Sequence, residues 1–269
     1  MKNDHARQDV IFSIVVSAYV ETAEPVGSGA ISKRSGLGLS SASIRNIMVG
    51  LEDRGLLAQP HTSAGRVPTD KGYRYYVDRL MKTEDLSANE KAWVVREIGN
   101  VRSIEALADK VSKVVSTLTD NAGMIYIKNL KRVSFLTHLL EELVQAQTIA
   151  DFLEEEPELF IEGVFRIFEQ PEFRDAQKIR ELLKAFDDKE NFLEILAGDL
   201  ELEGVQVHIG SENAADELED VSLVVKDYYF RRAPIGGIAV VGPTRMKYPK
   251  VVSVVDFVAD TVSEAVNRY

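Results

Sequence analysis

IRNIMVGLEDRGLLAQPHTSAGRVPTDKGYRYYVD, residues 44 to 78, decides the reading of the fold. It joins a helix to a turn-rich basic loop and then to an aromatic helix. Ile44, Met48 and Leu51 recur at helical spacing and at about 100° per residue point inward, so Ala42, Ser43, Arg45, Asn46 and Val49 point away. Ser40 or Ser41 is the candidate cap of this helix and Gly55 marks its end. Leu56 to Gln59 reads as a short strand, and Pro60 to Arg66 as a loop by its Pro, Ser and Gly content. From Pro68 a further helix carries Tyr73, Tyr75, Tyr76, Val77 and Leu80.

Upstream, Val10, Ile11, Ile14, Val15 and Ala18 fall at helical spacing and predict a first helix over about residues 5 to 22, before Pro25. Ser28 is the candidate cap of a short second helix over Gly29 to Arg34, ended by Gly36. Three helices, a strand pair and a loop between its strands make a winged helix-turn-helix. The outward face of the third helix holds the residue types a recognition helix needs. Arg45 can bond guanine bidentately, Asn46 adenine and Ser43 phosphate, while the small Ala42 and Val49 admit the helix to the groove, with Ser41 at its start. Taken alone, the helix reads equally well as a solvated face that happens to hold Arg and Asn. In the loop, His61, Thr62, Ser63 and Arg66 around Ala64 and Gly65 supply donors and one fixed charge without bulk. Such a wing can lie along phosphates or reach into a minor groove. Lys33, Arg34, Lys71 and Arg74 flank it as candidate backbone contacts.

Composition sets the outer limits. A chain of 269 residues suggests about two domains, and 45% hydrophobic with 28% charged residues is ordinary for a globular protein. No run approaches the roughly 18 apolar residues of a spanning helix, and MKNDHARQDV has no apolar signal core, so the expectation is a cytoplasmic protein with no membrane partner. Without cysteine there is no disulfide frame, thiolate zinc site or cysteine nucleophile. His5, His61, His138 and His208 have no metal-ligand spacing, and no cofactor is expected. The net charge of −11 is unevenly spread. Residues 1 to 82 hold 11 Lys+Arg and 8 Asp+Glu, a balance of +3, which leaves 21 and 35 of the totals 32 and 43 for the remainder, a balance of −14. One end can approach phosphates; the other is repelled by them.

The polar stretch Met81 to Glu90 is the expected boundary, with Ser87 and Glu90 in a capping-box pattern ahead of a helix that carries Trp93, Val94 and Ile98. Ile104, Leu107, Val111, Val114 and Leu118 alternate by three and four, which suits a packed helix or a short coiled-coil seam between subunits. Gly123 to Ile127 and Val133 to His138 read as strands, and Leu139 to Ala197 as almost wholly helical, broken at Pro157, Pro171, Asp187 and Asp188. Val205, Val207 and Ile209 alternate with polar residues, Ser222 to Phe230 and Ile235 to Val241 are β-rich, and a closing helix after Pro249 carries Val251, Val254, Val255, Val258 and Val262. Strands on both sides of a helical insert suggest one α+β domain.

Gly236, Gly237 and Gly242 match no nucleotide-binding fingerprint and read as a turn between strand and loop. Glu154, Glu155, Glu156 and Glu158 suit a helix dipole better than a metal, and Asp216, Glu217, Glu219 and Asp220 form a solvated acidic turn. His138 and His208 are expected as structural histidines. Trp93 with Tyr228, Tyr229 and Phe230 serves core packing or lines a small-molecule pocket.

The segments EPVGS (24 to 28), SKR (32 to 34), SSASIRN (40 to 46), LEDRGLL (51 to 57), QPHTSAGRVPT (59 to 69) and KGYRYYVD (71 to 78) resemble the heat-inducible transcription repressor family, HrcA. Weaker matches run through LFIEGVFRIFEQPEF (159 to 173), GVQVHIG (204 to 210) and IGGIAVVGPTRMKYPKVVSVVDFVA (235 to 259). The resemblance implies a dimeric repressor whose winged-helix domain (1 to 82) binds an inverted-repeat operator upstream of chaperone genes. Behind it stands a GAF-like domain (83 to 269) with a helical dimerising insert at about 139 to 197. It also implies the GroE chaperonin as a partner that maintains the active fold. Two departures stand out: Ile47 replaces a usually acidic residue, and the segment between about Lys128 and Phe160 is shorter than in the family, so the insert is reduced.

The expectation is thus a repressor that acts by occupying a promoter, with Ser43, Arg45 and Asn46 reading bases and Lys33, Arg34, His61, Thr62, Ser63, Arg66, Lys71 and Arg74 positioning the backbone. No nucleophile–base or metal constellation supports an enzyme. A ligand sensor working through the GAF-like domain and a protein-interaction module are the other readings.

Overall fold

In a computed structural model, the described residues are 2–99, 101, 103–128, 158–199, 202–213 and 215–268. They form two units, Met1–Thr83 with Thr244–Pro249, and Glu84–Pro243 with Lys250–Tyr269.

The first unit contains α1 (Lys2–Thr22), α2 (Ser28–Arg34), α3 (Ser41–Asp53), β1 (Leu57–Ala58), β2 (Val67–Pro68) and α4 (Asp70–Tyr75), which runs on into a π-helical segment, Tyr76–Leu80. Ser40 caps α3 by accepting a hydrogen bond from the Ser43 amide at 3.1 Å, and Gly55 ends it with φ +72°. Thr69 caps α4 through the Gly72 amide at 3.0 Å and also donates its hydroxyl to the Gly55 carbonyl at 2.7 Å. Ser28 is not the cap of α2: Gly27 holds that position without a side-chain bond, and the Ser28 hydroxyl lies 2.9 Å from that of Ser41.

As the spacing predicts, Ile44, Met48 and Leu51 are buried, against a core that includes Phe12, Ile31, Leu57 and Tyr73. The first helix forms as its spacing predicts. Ile11, Phe12, Val15, Val16 and Ala18 are buried, whereas Val10 is 44% exposed and lines an open cleft with Ile14. The rows 11–15 and 12–16 each join residues four apart, and the aromatic Phe12 brings its row to the core at the expense of 10–14.

The second unit holds a five-stranded antiparallel sheet in the order β4-β3-β7-β6-β5, from β3 (Ala122–Ile127), β4 (Glu158–Glu162), β5 (Gln206–Ile209), β6 (Val221–Phe230) and β7 (Ala233–Pro243). The expected helical run from Leu139 is corrected at β4, whose Leu159 and Ile161 pair with Tyr126 and Met124. Pairing on the edge of a sheet fixes this segment as a strand despite the acidic, helix-like residues around it. The other candidates between residues 129 and 157, including the strand Val133 to His138, lie outside the described residues.

One sheet face packs Met124, Tyr126, Leu223, Val225 and Ala239 against Ile167, Phe173, Leu182, Phe186, Phe192 and Leu196. These come from α7 (Val164–Phe168), a 3-10 turn at Pro171–Arg174, α8 (Ala176–Asp188) and α9 (Glu190–Asp199). The other face carries α6 (Ile104–Thr119), with α5 (Ala88–Gly99) packed on it, and the closing helix α10 (Tyr248–Val266). Of the seam positions on α6, Val111 and Val114 are buried within the unit and Leu107 and Leu118 are half-buried, and a Cβ on Gly123 would stand 2.3 Å from the Ser112 carbonyl oxygen. Lys226 fastens α10 by ion pairs to Asp256 and Asp260 at 2.7 and 2.6 Å.

Gly236 and Gly242 lie inside β7 and not in a turn. A Cβ on Gly236 would meet the Tyr126 carbonyl oxygen at 2.0 Å, and one on Gly242 the Asn121 side chain at 2.1 Å. Tyr228 is buried and donates to that same Tyr126 carbonyl at 3.2 Å, while Trp93 on α5 is half-buried. His208 Nε2 lies 2.7 Å from Asp199, and the acidic turn is paired through Glu217 to Lys184 and Asp220 to Lys178.

Candidate nucleic-acid interface

The first unit places its hydrogen-bonding groups along α3 and in the loop between β1 and β2. Ser41, Ala42, Ser43, Arg45, Asn46 and Val49 are all exposed on one side of α3. At 1.5 Å per residue the span from Ser41 to Val49 is about 12 Å, comparable to the width of a DNA major groove. The side chains of Arg45 and Asn46 make no hydrogen bond or ion pair among the described residues, so both are available to a ligand. At the start of the helix the Ser28 and Ser41 hydroxyls lie 2.9 Å apart and those of Ser40 and Ser43 3.0 Å apart, at the positive end of the helix dipole.

The loop is built from its base upward. β1 and β2 pair only as Leu57↔Pro68 and Ala58↔Val67. Gln59 braces the inside, its Nε2 donating to the carbonyls of Thr62 at 2.9 Å and Ala64 at 3.0 Å, and the Ala64 amide closes a turn on the His61 carbonyl at 2.9 Å. His61, Thr62 and Ser63 stand exposed at the tip. At the descending end Arg66 exchanges both backbone hydrogen bonds with Val26, at 2.9 Å each. Gly65 lies so close to the connection between α1 and α2 that an added Cβ would fall 2.4 Å from the Val26 carbonyl carbon.

The basic residues divide into three groups. Lys33 and Arg34 are exposed at the end of α2, where Arg34 makes a 3.0 Å solvent-screened pair with Glu21. Arg66 is drawn inward: its Nε donates to Glu52 Oε2 at 2.9 Å, and its side chain is only 13% exposed. Lys71 and Arg74 lie at the far end of α3, in an open cleft of about 590 Å³ with Arg54, Tyr75, Asp78 and Arg79. There Lys71 donates to the Arg54 carbonyl at 2.9 Å and Arg74 to Asp78 at 3.2 Å. The helix is about 18 Å long, so these two cations are separated along it from the serine cluster and do not extend that surface. Glu52, Gln59 and Val26 were not singled out from the sequence. No periodicity joins Glu52 and Val26 to the loop and only the fold brings them there, whereas Gln59 directly precedes Pro60 in the chain.

Taking each unit by itself, the first holds 13 Lys+Arg against 8 Asp+Glu, a balance of +5, and the remaining 19 and 35 give the second a balance of −16.

The HrcA protein C terminal domain family matches residues 126–252. Over its whole length the chain is 32% identical to the heat-inducible transcription repressor HrcA of Pelotomaculum thermopropionicum, with 98% of that relative covered. It is 33% identical to the repressor of the same name from Natranaerobius thermophilus, with 97% of each chain covered. The Pelotomaculum alignment spans 342 positions, so at least 73 of them have no counterpart among the 269 residues here. A crystal structure of a hypothetical protein shares the fold, with a TM-score of 0.71 at 21% identity over 97% of this chain and 98% of that one.

Proposed function

The chain belongs to the heat-inducible transcription repressor family, HrcA, and we propose that it represses by seating the exposed side of α3 in the major groove of an inverted-repeat operator. It is a transcription repressor and not an enzyme. In this reading residues 1 to 82 are a winged helix-turn-helix, and the loop from Gln59 to Arg66 is the wing, with His61, Thr62 and Ser63 against the sugar–phosphate backbone or the minor groove. Ser43, Arg45 and Asn46 read bases, Ser41, Ala42 and Val49 line the groove, and Lys33 and Arg34 meet phosphates. Lys71 and Arg74 contribute at longer range, through the positive charge of the unit.

The carrying observation is the pairing of a buried Ile44–Met48–Leu51 face with an opposite face on which Arg45 and Asn46 are exposed and unengaged among the described residues. Residues 83 to 269 form a GAF-like domain with a reduced dimerising insert, and a two-fold dimer requires a palindromic site. Family membership supports chaperone genes as targets, GroE as a partner and the cytoplasm as the location. No helix among the described residues is long and apolar enough to cross a membrane.

The test is Arg45→Ala on an inverted repeat selected from random-sequence DNA by the full chain. Loss of about 1–3 kcal/mol on that duplex, with relaxed base choice at one position per half-site and little change on scrambled DNA, is the expected outcome. Equal losses on both duplexes would remove Arg45 from the base-reading set.

A further inference from the structure

We propose that Glu52 and Arg66 form a latch that sets the wing against α3, so that Glu52, a carboxylate on the DNA-reading helix, is a positioning residue required for operator binding. The inference rests on the reading of the Gln59–Arg66 loop as a DNA-contacting wing.

The strands that carry the loop are two residues each, too short to hold it at a fixed angle by themselves. Other ties supply the rigidity. Gln59 makes the loop internally stiff, and the two backbone bonds between Val26 and Arg66 fix its descending end to the α1–α2 connection. The side-chain tie from the loop to α3 is the 2.9 Å bond from Arg66 Nε to Glu52 Oε2. Glu52 lies in the last turn of α3, with its side chain 33% exposed, and Arg66 is more enclosed, at 13%. With its Nε committed and so little surface open, Arg66 acts on the loop's position through Glu52 and is a poor phosphate ligand. Loss of the carboxylate leaves a largely enclosed guanidinium without its counter-charge, which then turns toward water or phosphate and takes the base of the loop with it.

Two effects of removing Glu52 oppose each other, and their sign decides the matter. Long-range electrostatics alone predicts tighter DNA binding when a negative charge is deleted from a DNA-facing unit. A latch predicts weaker binding.

The experiment measures binding of the full chain to the selected inverted-repeat duplex for Glu52→Gln, Arg66→Gln, the double variant, and the charge-reversed pair Glu52→Arg with Arg66→Glu. A His61→Ala, Thr62→Ala, Ser63→Ala variant reports on the wing itself. The latch predicts a loss of about 5- to 10-fold for Glu52→Gln, a double variant no worse than Arg66→Gln, and recovery of most of the affinity by the reversed pair, whose net charge equals that of the parent. Hydroxyl-radical footprints of Glu52→Gln should lose the protections that the tip variant loses and keep those that Arg45→Ala loses. Unchanged or tighter binding by Glu52→Gln, with the tip variant still impaired, overturns the latch and leaves the wing in place. Parental binding by the tip variant overturns the wing reading and the latch with it. A reversed pair that stays weak while its thermal unfolding matches that of the parent also overturns the latch.

Discussion

Arg45 stands on the open side of α3 with no side-chain partner among the described residues, whereas Arg66 turns its Nε onto Glu52. The sequence distinguishes Arg45 because Ile44, Met48 and Leu51 fix which way that helix faces. It does not distinguish Arg66, because Glu52 is 14 positions earlier and only the β1–β2 hairpin folds the loop back onto α3. A similar pairing between residues distant in sequence makes Glu90 the clearest titration site. Its ion pair with Lys250, together with bonds from the Ser87 hydroxyl and amide, holds its carboxyl at about 2, against an ordinary value of 4.5. A depressed carboxyl stabilises the fold fully above its unfolded value and loses that contribution as pH falls toward the folded value. Glu90→Gln is therefore expected to cost about 1 kcal/mol at pH 7, the Glu90 side chain being partly solvated. The gap between variant and parent in chemical unfolding should close between about pH 4.5 and pH 2. A gap that stays constant across that range would show that the pairing contributes nothing to folding.

At the scale of elements, the loop between β1 and β2 depends on a close approach that only glycine permits. Gly65→Ala puts a Cβ 2.4 Å from the Val26 carbonyl carbon, and backbone cannot move aside without breaking the Val26–Arg66 bridge. The expected cost is about 2 kcal/mol in unfolding, together with weaker operator binding. Gly50→Ala in α3 meets nothing within 4 Å, and is expected to raise stability by about 0.5–1 kcal/mol through helix propensity. Denaturant titrations of the two variants check both signs.

Legibility of the elements follows the same physics. α3, α4, the capping box at Ser87 and Glu90, and β5 to β7 were readable because their signals are local: a cap, a period, an alternation. β4 was not, because a strand in an acidic, helix-like context is fixed by pairing with β3 and not by its own pattern. Which rows of α1 are buried is not legible, because the apolar run from Val10 to Val16 is nearly continuous and periodicity alone cannot rank its rows. The single-residue bridge at Val26 leaves no sequence signature at all.

For the whole molecule, the division of charge matters more than its total. The first unit carries +5 and the second −16, so a chain of net −11 can bind DNA through one unit while the other resists nonspecific adsorption. At least 73 positions of the alignment with the Pelotomaculum repressor have no counterpart in this chain. That makes operator binding by this shorter chain the central claim to test. Fluorescence anisotropy of the full protein with a labelled inverted repeat and a scrambled duplex, each at two salt concentrations, tests it most directly. The account predicts tight binding that prefers the repeat and weakens steeply as salt rises, from counterion release at the phosphates. Weak binding that is equal on the two duplexes would contradict it.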